Sequence, residues 1–356
     1  MAVEAIKNER ILYYLGAGAS AKALPLARSV WEKKRVEYST NPFSSDSVLK
    51  IRGLAIELET FLDRGFIIGN NEIPLWGEIK SIREDCKQLA KKANEFGDVD
   101  TYAKFLQIMD PTGLELSRLK KLLSIYFAVK QILGEGLDSR YVPWLVSIMK
   151  EKKFPENIKI LSWNYDSQIQ IAARTFGENE ELSYKGNNPN YTPFLICSYP
   201  DLEMTGGITR YFSMIHLNGR AGLTDLNTAD KGSAFETRFL NDPKGLVEFL
   251  SSKNVESSLH FAWENTSYHK DLMDKVESLI DDVTIMVVIG YSFPFFNREV
   301  DKAVFKKLKE NGKFYKIYYQ DPVLDGQQLK AQFELDKDFP IVHISQTDNF
   351  HIPFEY

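Results

Sequence analysis

Residues 13–29 read YYLGAGASAKALPLARS, and the fold turns on how this stretch is understood. The unbroken apolar run Ile11, Leu12, Tyr13, Tyr14 and Leu15 predicts a buried strand, and Gly16-Ala17-Gly18-Ala19-Ser20 follows it with no bulky side chain. Glycine permits a tight turn and lets another group approach the backbone closely. Gly16, Gly18 and Ala21 satisfy the spacing G-x-G-x-x-G/A of a phosphate-cradling turn between a strand and a helix. Two readings stay open at this point: the amides of the loop face a bound phosphate, or the loop is a tight turn with no ligand.

Working outward, 356 residues suffice for one large core plus a substantial insertion. A hydrophobic share of 44% and a charged share of 26% are ordinary for a globular chain. No apolar run approaches the ~20 residues of a membrane span. The opening MAVEAIKNER has neither the apolar core nor the cleavage site of a secretory signal, so a cytoplasmic protein is expected. Two cysteines, Cys86 and Cys197, support neither a disulfide framework nor a four-thiolate zinc site, so no metal is expected. The net charge of −5 argues against a strong nonspecific hold on nucleic acid.

An orthodox dinucleotide fold would return quickly to a second strand bearing an acidic ribose reader. Instead, from Trp31 to about Ile148 the apolar spacing is mainly helical. Residues 47–62 (SVLKIRGLAIELETFL) and 117–133 (SRLKKLLSIYFAVKQIL) repeat at three and four positions. Breaks are expected at NPFSSDS, GNNEIP, DPTG and GEG. The α/β pattern resumes with a strand at Ile158 to Leu161, a helix through Gln168, Ile169 and Ala172, and the loop-rich passage 177–194. A strand follows within residues 210–219, then a helix over 256–280. VTIMVVIG, KFYKIYYQDP and FPIVHIS are read as further strands. The expected fold is therefore α/β: a Rossmann-like, mostly parallel sheet with helices on both faces and a large helical insertion after the first strand. The expected domains are residues 1–30 with 149–356, and a helical lobe over 31–148.

Ligands of open parallel sheets bind beyond the carboxyl ends of the strands. The residues at those ends are Gly16 to Ser20, Trp163-Asn164-Tyr165-Asp166, His216-Leu217-Asn218-Gly219, Gly290-Tyr291-Ser292 and Gln320-Asp321-Pro322. Singly, each has a plain structural role: Asn164 and Asp166 as helix caps, His216 as a core histidine, Ser292 as a turn residue, Asp321 as a strand stop. Their order and combination carry the functional reading.

That order, GAGAS, then WNYD, then a His and Gly at a strand end, then IGYS, resembles the sirtuin-like proteins. GAGASAKALPL with IGYSFPFFN looks like their bacterial branch associated with antiphage defence. The likeness covers residues 10–31 and about 155–325. Departures accompany it: the four-cysteine zinc ribbon is absent, Trp163 replaces a Gln, the loop loses its aromatic residue after Pro25, and Asn218 stands directly before Gly219 where the catalytic His is usual. His216, two residues earlier and on the same side of an extended strand, is assigned that role.

The resemblance implies NAD as substrate and hydrolysis of its nicotinamide–ribose bond to ADP-ribose and nicotinamide. It implies Asp166 on the nicotinamide carboxamide, Asn164 on a ribose hydroxyl and the attacking water, and His216 as general base. It places Ala17, Gly18, Ala19 and Ser20 on the pyrophosphate, Gly290 and Ser292 by the adenosine-side ribose and phosphate, and Asp321 by the adenine or its ribose. It further implies a defence effector; because an unrestrained NAD hydrolase would kill its host, the enzyme is expected to be held inactive until a partner or infection signal arrives, as a homo-oligomer or in a complex. The alternatives are an NAD-dependent deacylase and a non-catalytic NAD or ADP-ribose sensor. The acidic ribose reader of a dehydrogenase is missing, and Lys22 has the wrong spacing for G-x-x-x-x-G-K-[ST].

Overall fold

The structure is a computed structural model. It describes residues 9–28, 30–33, 47–51, 53–63, 66–68, 71–73, 77–132, 137–149, 154–174, 198–199, 213–225, 248, 252, 255–264 and 267–356. The chain divides into two compact units, one made of Met1–Ala19, Ser139–Arg220 and His260–Tyr356, the other of Ser20–Asp138 and Ala221–Leu259.

The first unit is built on a parallel sheet whose strands, in chain order, are β1 (Ile11–Leu15), β2 (Ile158–Ser162), β3 (Ser198–Tyr199), β4 (Met214–His216), β5 (Ile285–Ile289), β6 (Lys316–Gln320) and β7 (Ile341–Ile344). Their spatial order is β7-β6-β5-β1-β2-β4-β3, and every adjacent pair is parallel. All five residues of β1 and of β5 are buried. An unbroken apolar run of this kind marks a strand covered on both faces rather than on one.

Side chains alternate across the sheet as the pleat requires. One face sends Leu12, Tyr14, Leu161, Ile215, Met286, Val288, Ile317 and Tyr319 into a core shared with Leu272, Val276 and Leu279 of the helix Ser267–Leu279 and Val300, Val304, Phe305 and Leu308 of the helix Arg298–Glu310. Those helical residues recur at three and four positions, so one stripe of each helix is buried while its lysines and glutamates stay outside. On the other face Tyr13 meets Trp144 of the helix Tyr141–Ile148 edge to face at 4.9 Å, and Tyr141 and Trp144 both pack on Phe350. The α/β class and the parallel, doubly covered sheet agree with the sequence.

The second unit holds helices Leu54–Thr60, Gly77–Phe96, Val99–Met109 and Leu114–Ile132. Asp98 caps the third of them, its Oδ1 accepting from the Thr101 amide at 2.8 Å. Two expectations are corrected here. Residues 47–62 are not one helix: Ser47–Ile51 is a strand paired antiparallel with Val30–Lys33, and only Leu54–Thr60 is helical. Within the 31–148 segment, read as mainly helical, Phe66–Ile68 and Asn71–Ile73 also form an antiparallel pair. The expected helix over 256–280 begins as the strand Val255–Leu259, paired with Gly219–Asp225, and turns helical only at Ser267. Periodicity misled in the same way each time. Short runs such as SVLKI and VESSL fit both repeats, and cross-strand pairing, invisible to a local pattern, decided between them. The NPFSS and GEG breaks and the passage 177–194 lie outside the described residues.

Candidate functional site

The strand ends are flush. Leu15 is in register with Ser162 and Ile289, Ser162 with His216, and Ile289 with Gln320, which is in register with Ile344. With neighbouring strands about 4.8 Å apart, the residues that leave these strands share one rim of the first unit. Backbone bonds continue past the strands: Gly16 donates to Ile289 O at 3.0 Å, Trp163 to Leu15 O at 2.9 Å, Leu217 to Ser162 O at 2.8 Å, and Gly290 to Gln320 O at 3.1 Å.

What approaches the glycine loop so closely is another loop of the same chain. A Cβ on Gly16 would lie 2.6 Å from Gly290 O and from Tyr291 Cβ, and one on Gly18 would lie 2.6 Å from Gly290 Cα. The contact is reciprocal, since a Cβ on Gly290 would fall 2.4 Å from Gly18 Cα. The Gly18 amide donates to Gly290 O at 3.0 Å and the Ala19 amide to Gly16 O at 2.9 Å. The two amides expected on a pyrophosphate thus each have a backbone acceptor within the fold. Ala17 is the exposed residue of the turn. Ser20 is buried and opens the second unit, its carbonyl accepting from the Ala23 and Leu24 amides.

Arg140 braces the loop from below. It is 4% exposed, and its Nη2 donates to Gly18 O at 2.9 Å and Ala19 O at 3.0 Å, while Nη1 donates to Thr347 O at 3.2 Å. The guanidinium also lies 4.8 Å from the Phe350 ring. A lone arginine in LDSRYVPW carries no sequence signal, and only the meeting of three chain segments gives it work.

At the β2 and β4 ends, Asn164, Asp166 and His216 are all buried. The Asn164 amide donates to Ser162 Oγ at 3.1 Å, and its carbonyl faces His216 Nδ1 at 3.3 Å. His216 is 0% exposed, and its other ring nitrogen lies 2.8 Å from Gln170 Nε2. Both ring nitrogens of His216, the expected general base, thus have polar neighbours inside the protein, one of them the Asn164 carbonyl. Asp166 Oδ1 accepts from the Gln168 amide at 3.1 Å, the local turn that starts the helix Gln168–Arg174. Asn218, unassigned by the sequence, ties this corner together. Its Nδ2 donates to Trp163 O at 3.2 Å, its Oδ1 accepts from Ala262 N at 3.1 Å, and its carbonyl accepts from His260 N at 2.8 Å.

Across the rim, Gly290 (φ +57°) and Phe293 (φ +54°) both adopt the left-handed conformation, which costs the phenylalanine about 1–2 kcal/mol. Ser292 between them is exposed. Asp321 Oδ1 accepts from the Val323 and Leu324 amides at 2.8 and 2.7 Å and so shapes its own turn. Among the described residues no group of three or more His, Cys, Asp or Glu is placed to hold a metal ion, and no helix is long and apolar enough to cross a membrane.

Under the rim the Trp163 and Tyr291 rings stack at 5.7 Å, and the Tyr291 hydroxyl donates to Asp301 Oδ2 at 2.9 Å. Tyr14 donates to Asp301 Oδ1 at 2.5 Å, and Asn297 donates to the Tyr291 hydroxyl at 3.1 Å. Burial dominates the titration of Asp301 and pushes it up to about 7 against the hydrogen bonds from Tyr14 and Tyr291, which pull it down. The unfolded chain gives up this proton near the ordinary value of 3.8. Between those two values the folded state holds more protons, so this group's contribution to stability is full at low pH and lost as pH rises towards 7. Asp301→Asn is therefore expected to flatten the fall in melting temperature between pH 4 and 7. An unchanged slope in the variant would assign that dependence to other groups.

A scan against protein-family models finds no match to this chain, and a search of curated proteins finds no relative.

Proposed function

We propose that this chain binds NAD along the rim of the parallel sheet and hydrolyses the bond between nicotinamide and its ribose. The observation that supports it best is the flush register of the strand ends, which gathers Gly16, Asn164, Gly290 and Asp321 along one edge. Hydrolysis asks little of a base. The C–N bond at ribose C1′ breaks with its electron pair going to the pyridinium nitrogen, nicotinamide leaves neutral, and the developing oxocarbenium ion is captured by water, which releases a proton. What such a reaction needs is a dry, fixed pocket and a polar group beside C1′. In this reading Asn164 meets a ribose hydroxyl and the water, Asp166 meets the nicotinamide carboxamide, and the exposed Ala17 lies by the pyrophosphate. Ser292 and Asp321 lie on the adenosine side. An unrestrained enzyme of this kind would exhaust its host's NAD, so low turnover by the purified chain and a rise on adding a partner or trigger belong to the proposal.

Incubating the purified full chain with NAD and separating the products tests the reading directly. Equimolar nicotinamide and ADP-ribose support it; intact NAD after addition of concentrated enzyme and host lysate refutes it. A second reading, a sensor that binds NAD or ADP-ribose without chemistry, is favoured by one feature: His216 and the Gly18 and Ala19 amides are already satisfied within the fold. It requires saturable NAD binding with no nicotinamide released.

A further inference from the structure

We propose that Gln170 is a positioning residue: it fixes the His216 ring in one tautomer and thereby locks the Asn164 backbone at the rim. The proposal rests on the reading of that rim as the NAD site and extends it by one residue, which no motif in the sequence marks.

His216 Nδ1 faces the Asn164 carbonyl at 3.3 Å. A carbonyl oxygen only accepts, so Nδ1 must carry the proton. In the neutral ring Nε2 is then a bare acceptor, and in this fully buried position it needs a donor. The Gln170 carboxamide lies 2.8 Å away and supplies one through its Nε2, which also sits 3.9 Å from Met214 Sδ. Gln170 Oε1, on the far side of the same carboxamide, is buried and accepts from no group among the described residues. Leaving a buried acceptor unpaired is costly, about 1–3 kcal/mol. The chain tolerates it in the orientation that serves His216. The relay ends at Asn164, whose peptide is held on both sides: its amide by Ser162 Oγ and its carbonyl by His216. With both backbone groups tied, the Cα–Cβ bond from which the Asn164 side chain starts is fixed before any ligand arrives.

The geometry explains why Gln and not Glu stands at this position. A carboxylate 2.8 Å from Nε2 would draw a second proton onto the ring and place an imidazolium under the rim. The substrate itself carries a positive pyridinium, so a neutral ring avoids a like charge beside the reacting bond.

The test uses the full chain, uniformly labelled with nitrogen-15, at pH 7.5. Long-range proton–nitrogen correlation spectra of the histidine rings, with His216 assigned by loss of its signals in His216→Phe, report the tautomer without any ligand. The wild type is expected to show the neutral Nδ1–H form, and Gln170→Glu the doubly protonated ring. With NAD, Gln170→Glu is expected to lower kcat by roughly 10- to 100-fold, the cost of misplacing a reacting group, with KM little changed. An Nε2–H tautomer in the wild type, a ring spectrum unmoved by Gln170→Glu, or an imidazolium in that variant with kcat intact would each overturn the proposal. Should Gln170→Glu fail to fold, Gln170→Met removes the donor at similar volume, and an unshifted Nε2 signal there is equally fatal. If the wild type releases no nicotinamide at all, the NAD hydrolase reading fails, while the ring spectra still decide whether Gln170 holds His216.

Discussion

Gly290→Ala is expected to remove most of the stability of the sheet-bearing unit, about 4 kcal/mol or more, read as a shift in the urea midpoint. Two costs add. At φ +57° a side chain pays left-handed strain of about 1–2 kcal/mol, and the new Cβ would sit 2.4 Å from Gly18 Cα and 2.5 Å from Gly18 C. Backbone atoms cannot swing away as a lysine tip can. The β1 and β5 loops would have to part, breaking the bond from the Gly18 amide to Gly290 O. Gly16→Ala and Gly312→Ala separate these terms. Gly16 meets Gly290 O and Tyr291 Cβ at 2.6 Å with no positive φ, so its loss measures the overlap; Gly312 has φ +65° with nothing within 4 Å, so its loss measures the strain alone. The expected order of destabilisation is Gly290, then Gly16, then Gly312, the last about 1 kcal/mol. A Gly290→Ala protein within 1 kcal/mol of the wild type would mean that the two loops are not in contact in solution.

The second large effect is catalytic. Asn164→Ala is expected to lower NAD turnover by about 100-fold or more, with a melting temperature within a few degrees of the wild type, as measured by nicotinamide release and thermal unfolding. The magnitude is that of losing an oriented polar group at a reacting centre. The fold should survive, because the amide and the carbonyl of residue 164, which bond to Ser162 Oγ and face His216, belong to the backbone and persist in alanine. His216→Ala should differ in kind: it removes the ring that holds this carbonyl and leaves Gln170 facing a hole, so stability falls together with turnover. Full turnover by Asn164→Ala would refute the proposed chemistry, whatever the variant's stability.

The sheet was legible in the sequence because its strands are self-evident locally. ILYYL and IMVVI are short continuous apolar runs, as strands covered on both faces are, and each ends in glycine and small or polar residues. Asn164, Asp166 and His216 could be singled out for the same reason, as polar residues directly beyond apolar strands. Their roles could not. Whether His216 offers a ring nitrogen to a ligand or spends both inside the fold depends on Gln170 and Asn164, 46 and 52 residues away in sequence.

The sequence by itself determined the α/β class, the buried central strands and the polar composition of their ends, because burial and pleat write a pattern into neighbouring residues. Tertiary structure alone decided what those ends do. It set Gly16 and Gly18 against Gly290, aimed Arg140 at two loop carbonyls, put Asp301 beneath two tyrosines and split residues 47–62 into a strand and a helix. Each depends on residues distant along the chain, and the distances and partners that fix hydrogen bonds, clashes and proton affinity exist only once the chain has closed on itself.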